Sequence, residues 1–313
     1  MLANAATKGD RNWFHLSELW DDDGWRQTRQ NLDLDGSRGH SRIAVFDKVR
    51  EILSREIPVV RMVDHSFADA VSAFERINTL GTKLRKGDIE SARIAATHSG
   101  FIADEVIPFV DKLHRQGYTR MTAMHLFRAC EFIAHPDGRR RTPLHEEDSR
   151  TVHAAWTKTT RFAEEAINLV RSELGLMNMD LLWSGAPLVP VIALCATQSA
   201  KERNPVTLVG WMVLAIFLHR YSKSVESTLD QDLKECRKPD PIAALLSLLR
   251  REEGPLLVSA DNFKGALADK GGLLGAYVAC RWRGIRDLFT NEKINLHPQI
   301  ERHHILPRAQ FPD

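Results

Sequence analysis

Two adjacent histidines near the end of the sequence, His303 and His304 in ERHHILPRAQF (301–311), are the residues best suited to chemistry. A histidine can ligate a metal ion or take a proton from water, and a pair could divide these roles. Neighbouring residues of an extended strand point to opposite faces, so both rings serve one site only where the strand twists or ends. Pro307 favours such an ending. The alternative is a solvated pair or an incidental metal binder.

A second candidate site lies in FERINTLGTKLRKGDI (74–89). A helix that breaks near Gly81 and then restarts places Arg76, Asn78 and Thr82 beside a turn with unpaired backbone N–H groups. We expect Arg76, Asn78, Gly81 and Thr82 to bind a phosphate or another anion. The alternative is a structural connection between two helices, with glycine at the end of the first.

A third stretch, FLHRYSKSVESTLDQDL (217–233), joins the end of an apolar helix to a polar one. Its candidate residues are Arg220, Tyr221 and Asp232. The structural interpretation is that Tyr221 caps a core helix, while Arg220 and Asp232 form an ion pair.

These three stretches resemble motifs of the GmrSD-type restriction endonucleases, a family of prokaryotic defence proteins. The motif F-x-x-I-N-x-x-G-x-x-L-x-x-x-[DE]-I of the family's N-terminal domain is matched by Phe74, Ile77, Asn78, Gly81, Leu84, Asp88 and Ile89. Its helical-domain segment is matched by Arg220, Tyr221, Ser222, Leu229 and Asp232. HHILPR (303–308) is similar to the signature that opens its C-terminal HNH-type nuclease module.

The resemblance implies a modification-dependent DNA endonuclease that couples nucleotide binding and hydrolysis to metal-dependent phosphodiester cleavage. His303 would ligate a divalent cation, Mg²⁺ or Mn²⁺, and His304 would be the general base that activates water. A nucleoside triphosphate would bind the N-terminal domain, with Arg76, Asn78, Gly81 and Thr82 near its phosphates. The implied partners are DNA, modified or unmodified, and a second subunit that supplies further nuclease residues.

The sequence also departs from the family. The asparagine and third histidine of the nuclease module are not found after His304, and no D-G-Q-Q-R motif precedes the first stretch. Asp23-Gly24 and Asp35-Gly36 share only the dipeptide. We therefore expect a fragment, truncated at both ends and inactive by itself. The competing hypothesis is a non-catalytic helical scaffold or binding module, as a gene remnant or half of a split system.

Composition sets further limits. A net charge of +2 with 43% hydrophobic and 27% charged residues excludes a disordered or strongly basic chain, so nucleic-acid contact must come from a local patch. Four cysteines without C-x-x-C spacing suggest neither a disulfide framework nor a zinc site, and indicate a cytoplasmic protein. The apolar stretch 205–221 is shorter than the roughly 20 residues of a membrane span, so we expect a buried helix and no membrane partner.

Periodicity predicts a mainly α protein. Ser66 is the expected N-cap of one helix, Asp88 that of the next, and Gly100 follows the second helix. REIPVVRMVDH (55–65) predicts a short strand before them, whereas 1–40 shows no clean period. The predicted fold is a small α/β N-terminal piece, an α-helical bundle and the start of a ββα-metal module. With the resemblance, the ranges are a partial ParB-like nucleotide-binding domain (1–100), a helical domain (101–290) and a truncated nuclease module (291–313).

Overall fold

The computed structural model describes residues 16–31, 36–56, 59, 61, 63, 66, 69–70, 72–73, 76, 86–136, 138, 142–222, 224–258, 270–286 and 291–294. The chain forms two compact units, Met1–Asp64 and His65–Asp313. Helix is the main element of the described part of both units. The predicted mainly α class is therefore confirmed for the described residues.

The first unit contains a pair of helices, α1 (Asp22–Asn31) and α2 (Gly36–Arg50), with 3₁₀ turns at Leu16–Leu19 and Glu51–Ser54. Trp25 of α1 meets Phe46 of α2 edge to face, with 5.7 Å between the ring centroids. The guanidinium of Arg50 lies 5.8 Å from the centre of the same indole. These contacts hold two short helices together in a region where the sequence shows no clean apolar period.

The second unit is a helical bundle. Its helices are α3 (Lys86–Thr97), α4 (Ile107–Arg115), α5 (Ala123–Ala134), α6 (Ser149–Leu174), α7 (Leu188–Thr197), α8 (Pro205–Phe217), α9 (Val225–Glu235), α10 (Pro241–Glu253) and α11 (Lys270–Trp282). A π turn at Phe101–Val106 leads into α4, and a 3₁₀ turn at Leu144–Glu146 precedes α6. The 26-residue α6 packs against α5, α7 and α8.

The starts of the long helices are set by local capping residues. Asp148 precedes α6 and its side chain accepts a hydrogen bond from the backbone N–H of Thr151 at 3.0 Å. Asn204 and Asp240 cap α8 and α10 in the same way, each followed by a proline that needs no N–H partner. The residues that fix where these helices begin therefore lie within a few positions of the first helical residue.

The core is centred on α7 and α8, which are apolar on nearly every face. Helices of this kind are stable only when other elements surround them. Leu188–Cys195 of α7 is buried throughout, and the indole of Trp211 is buried at the middle of α8. The prediction of a buried helix over 205–221 is confirmed for Pro205–Phe217. Among the described helices, none combines the length and apolar character of a membrane span.

The region around the second candidate site is only partly described. Ser66 and Asp69 form reciprocal cap contacts, with Asp69 N–H donating to Ser66 Oγ at 3.2 Å and Ser66 N–H donating to Asp69 Oδ2 at 3.0 Å. The predicted N-cap is thus confirmed. Helix α3 begins at Lys86, two residues before the predicted cap at Asp88, which lies in the first turn. Gly100 follows α3 in the left-handed conformation, with φ 78°, as predicted.

The other fold predictions stay predictions. The described residues of 55–65, which are Arg55, Glu56, Val59, Arg61 and Val63, lie in neither helix nor strand. The rest of the predicted strand and all of 295–313 lie outside the described residues. The α/β character of the N-terminal piece, the ββα-metal module and the three domain ranges are therefore not shown.

Candidate functional site

The end of α8 places the third candidate stretch inside the bundle. Beyond Phe217 the chain turns at His219, whose φ of 57° is left-handed. His219 N–H donates to Ile216 O and Arg220 N–H to Ala215 O, both at 3.0 Å, which is the Schellman pattern of helix termination. Glycine usually occupies the left-handed position, since a side chain there costs about 1–2 kcal/mol. The reversal directs Arg220 and the next residue back into the core.

Arg220 and Tyr221 meet at one carboxylate, that of Asp232 in α9. Arg220 Nε donates to Asp232 Oδ1 and Oδ2 at 3.0 and 3.2 Å, and Nη2 donates to Oδ1 at 2.8 Å. The Tyr221 hydroxyl donates to Oδ2 at 2.5 Å. The side chains of Arg220 and Asp232 are only 2% and 1% exposed. The ion pair of the structural interpretation is therefore present, and it is buried.

The same arginine joins two further residues to this cluster, which we name the Asp232 cluster (Arg220, Tyr221, Gln231, Asp232 and Glu253). Nη2 donates to Gln231 Oε1 at 3.3 Å, and Nη1 lies 3.6 Å from Glu253 Oε1 at the end of α10. One guanidinium thus ties the end of α8 to both α9 and α10. Charge-assisted bonds of this kind fix geometry more strictly than neutral ones.

Burial sets the protonation of the Asp232 cluster. It raises the pKa of Tyr221 well above its ordinary value, and the charge of Asp232 raises it further. Burial likewise raises the pKa of Asp232, against the hydrogen bonds from Arg220. Burial favours the neutral form of Arg220, but its bonds to Asp232 outweigh this and raise the pKa. The tyrosine therefore stays a donor and the arginine stays a cation at neutral pH.

A second buried arginine, Arg128 of α5, was not singled out by the sequence. It is 1% exposed and contacts three carboxylates, Glu131 at 2.9 Å, Glu226 at 3.4 Å and Asp230, whose side chains are 3%, 34% and 55% exposed. We call these four residues the Arg128 cluster. The one available sequence signal was a cation in the otherwise apolar helix AMHLFRACEFIA, with a glutamate three residues later.

The Arg128 cluster borders a cleft of about 250 Å³ lined by residues of α5 and α9 and of the segments that follow them. Arg237 closes one side of it, donating to the carbonyl of Phe132 at 3.2 Å and to that of His135. Its guanidinium also lies 4.1 Å from the centre of the Phe132 ring. Arg128 and Arg237, the two arginines that line the cleft, are therefore already engaged by protein groups.

The end of the described chain is fastened to α6. Arg281 of α11 donates to the backbone carbonyls of Glu173 and Ser172, both at 3.3 Å, and to that of Ile294. The Tyr277 hydroxyl lies 3.2 Å from Gly175 O and 3.5 Å from Ile294 O. A cation is favourable at the carboxyl end of a helix, whose last carbonyls lack partners. Residues 291–294 are thereby anchored to the bundle.

The remaining predicted site residues are not brought together in the described part. Arg76 is exposed in a helical segment, and Asn78, Gly81 and Thr82 lie outside the described residues. His303 and His304 also lie outside them. Among the residues that are described, no group of three or more histidine, cysteine or acidic side chains could hold a metal ion. Of the predicted sets, only Arg220, Tyr221 and Asp232 are seen to converge.

No family model, no curated protein and no solved structure matches this chain. The function must therefore be inferred from the motifs and from the geometry of the described residues.

Proposed function

We propose that this chain is part of a metal-dependent DNA endonuclease of the GmrSD type, in which the helical second unit is the scaffold of a C-terminal nuclease segment. One observation carries the proposal. Arg220, Tyr221 and Asp232, the polar positions of the helical-domain motif, meet in a single buried cluster. These residues, 11 and 12 positions apart in the sequence, converge on one carboxylate, as the polar positions of a shared motif would.

The anchor at Ile294 supports the same proposal. Catalytic groups act efficiently only when rigid elements hold them near the productive geometry. Arg281 and Tyr277 bind Ile294, nine residues before His303, to the end of α6. The bundle therefore holds in place the residue from which the chain continues to His303.

The chemistry of the proposal comes from the resemblance. His304 would take a proton from the attacking water, and His303 would be one ligand of Mg²⁺ or Mn²⁺. The described residues contribute no metal-binding group of three side chains, so other ligands would come from the undescribed residues or from a partner subunit. Arg76, Asn78, Gly81 and Thr82 would contact a nucleoside triphosphate.

DNA binding and cleavage assays test the proposal. The purified chain would be mixed with unmodified, 5-methylcytosine and 5-hydroxymethylcytosine duplexes, with Mg²⁺ or Mn²⁺, and with or without ATP or GTP. We expect duplex binding in every case. Cleavage that EDTA and His304→Ala abolish, but His153→Ala leaves intact, would show that the nuclease centre is complete. Binding without cleavage would mean that a partner completes it, and a chain that binds no duplex would overturn the proposal.

A second candidate is a non-catalytic scaffold or binding module. The observation that favours it is that the Asp232 cluster is buried, with its main donors directed at protein acceptors, so it has a structural role and no visible catalytic one. Unchanged behaviour of His303→Ala and His304→Ala in every assay would support this alternative.

A further inference from the structure

The chain directly after α11 forms an exposed turn rich in positive charge. Two residues after α11, Gly284 adopts the left-handed conformation, at φ 73°, and Ile285 N–H donates to Cys280 O at 3.0 Å. Arg286 then pairs with Lys293 in an isolated antiparallel bridge. We name Trp282, Arg283, Ile285, Arg286 and Lys293 the basic turn. Residues 287–290 lie outside the described residues.

The side chains of the basic turn are open to solvent. Trp282 and Ile285 are 47% and 45% exposed, and Arg283, Arg286 and Lys293 are all exposed. Within the described part of the chain, none of these three cations forms an ion pair with a carboxylate. Glu292 is the one exposed acidic residue among the described residues of 282–293.

The bridge sets two like charges side by side. Opposed residues of an antiparallel pair have Cβ atoms about 4.5–5.5 Å apart, and like charges in such a pair are destabilising. Arg286 and Lys293 are opposed in this way. Arg286 Nη1 donates to the carbonyl of Asn291 at 2.8 Å, which orders the guanidinium but does not neutralise it. A bound anion would relieve the repulsion.

The chemistry of the basic turn fits a nucleic-acid backbone. Lysine and arginine bind phosphates and release counterions, and an exposed aromatic ring can pack on sugars or bases. The chain as a whole carries a net charge of only +2, so a polyanion would be recognised through a local patch. The turn also lies beside the anchored carbonyl of Ile294, close in sequence to His303.

We propose that the basic turn is a contact surface for the phosphate backbone of duplex DNA, with Arg283, Arg286 and Lys293 each bound to a phosphate and Trp282 packed against the backbone. The choice of DNA as the bound polyanion rests on the proposed function. Binding at this surface does not depend on the base sequence of the DNA, because the surface contacts phosphates and not base edges.

Fluorescence anisotropy with a 30-base-pair duplex at several salt concentrations tests the surface. The variant Arg283→Ala/Arg286→Ala/Lys293→Ala removes three cations from the turn. The matched control Arg150→Ala/Lys158→Ala/Arg161→Ala removes three exposed cations of α6 and leaves the same net charge. We expect the turn variant to bind tenfold to a hundredfold more weakly in roughly 0.1 M salt, and its slope of log K against log salt to fall by about 2.7. The control should change affinity less than about twofold.

A second pair of variants guards against a folding artefact. Arg283→Glu/Lys293→Glu keeps the bond of Arg286 to Asn291 and should weaken binding further, whereas Arg150→Glu/Lys158→Glu should not. If the native chain binds duplex DNA but the turn and α6 variants behave alike, the surface is wrong and the proposed function stands. If the native chain binds no duplex, or binds an RNA hairpin in its place, both proposals fail.

Discussion

Arg220 and Arg128 are both buried in the helical unit and both pair with carboxylates, yet their surroundings differ. The Asp232 cluster is closed, with cation and anion each almost fully buried. The Arg128 cluster is open, because its carboxylates range from buried Glu131 to half-exposed Asp230. The same pair of chemical groups therefore serves two purposes. In the closed cluster it fixes how three helices meet, and in the open one it neutralises a cation at the wall of a cleft.

The largest expected effect is that of Asp232→Asn. The substitution leaves the Arg220 charge buried without its anion, and breaking a buried ion pair in this way costs about 3–5 kcal/mol of unfolding free energy. Urea denaturation followed by circular dichroism measures the loss. The double variant Arg220→Met/Asp232→Leu removes both charges and should lose clearly less. Equal losses in the single and double variants would show that the pair does not act as a unit.

A smaller loss is expected for Tyr221→Phe, which removes only the hydroxyl that donates to Asp232 at 2.5 Å. A hydrogen bond to a charged group contributes about 1.5–3 kcal/mol. The same denaturation experiment at neutral pH gives this value. A loss below about 0.5 kcal/mol would mean that water replaces the hydroxyl, and that the cluster is not closed.

The same variant tests the pKa of Tyr221, which burial raises above its ordinary value of 10.0. Above that pH the unfolded state loses the phenol proton while the folded state keeps it. Stability must therefore fall as pH rises, by up to about 1.4 kcal/mol per pH unit from this one residue. Comparing urea midpoints from pH 9 to 11, we expect a shallower decline for Tyr221→Phe than for the native chain. Parallel curves would contradict the assignment.

The smallest effect is expected in the open cluster. Asp230→Asn removes the most exposed carboxylate near Arg128, and exposed ion pairs contribute about 0–1 kcal/mol. Salt should reduce even this difference, since screening acts on exposed charges. Denaturation in low salt and in roughly 1 M NaCl measures both effects. If Asp230→Asn lowered the free energy of unfolding as much as Asp232→Asn does, the Arg128 cluster would not be weaker than the Asp232 cluster.

Predictions from the sequence were confirmed where the contacts that fix the structure join residues close together in the sequence. Ser66 and Asp69 are three residues apart and form the predicted cap, and Gly100 lies beyond the end of α3 as predicted. The pair Arg220 and Asp232 spans 12 residues and was proposed from one motif. In each case the residues that make the contact are close in sequence, so the local pattern is enough to predict it.

Sequence reasoning failed where the cause lies far along the chain. Arg128 has a partner in its own helix, Glu131, but its contact with Asp230 joins residues 102 positions apart, so the helix sequence does not reveal that second pairing. Helices α1 and α2 went unpredicted because contacts of Trp25 with Phe46 and Arg50, and not a regular apolar face, join them. Arg281 is a similar case, since its acceptors are the last carbonyls of a helix more than 100 residues earlier.

The hydrogen bond from Arg281 to the carbonyl of Ile294 also limits how far the imidazole rings of His303 and His304 can lie from the bundle. His303 follows Ile294 by nine residues, and a fully extended chain advances at most about 3.6 Å per residue. The Cα atom of His303 can therefore lie no farther than roughly 32 Å from Ile294, which is fastened to the end of α6. In the proposed nuclease, a scissile bond beyond that distance would be out of range, so the bundle would limit which part of a substrate can be cut.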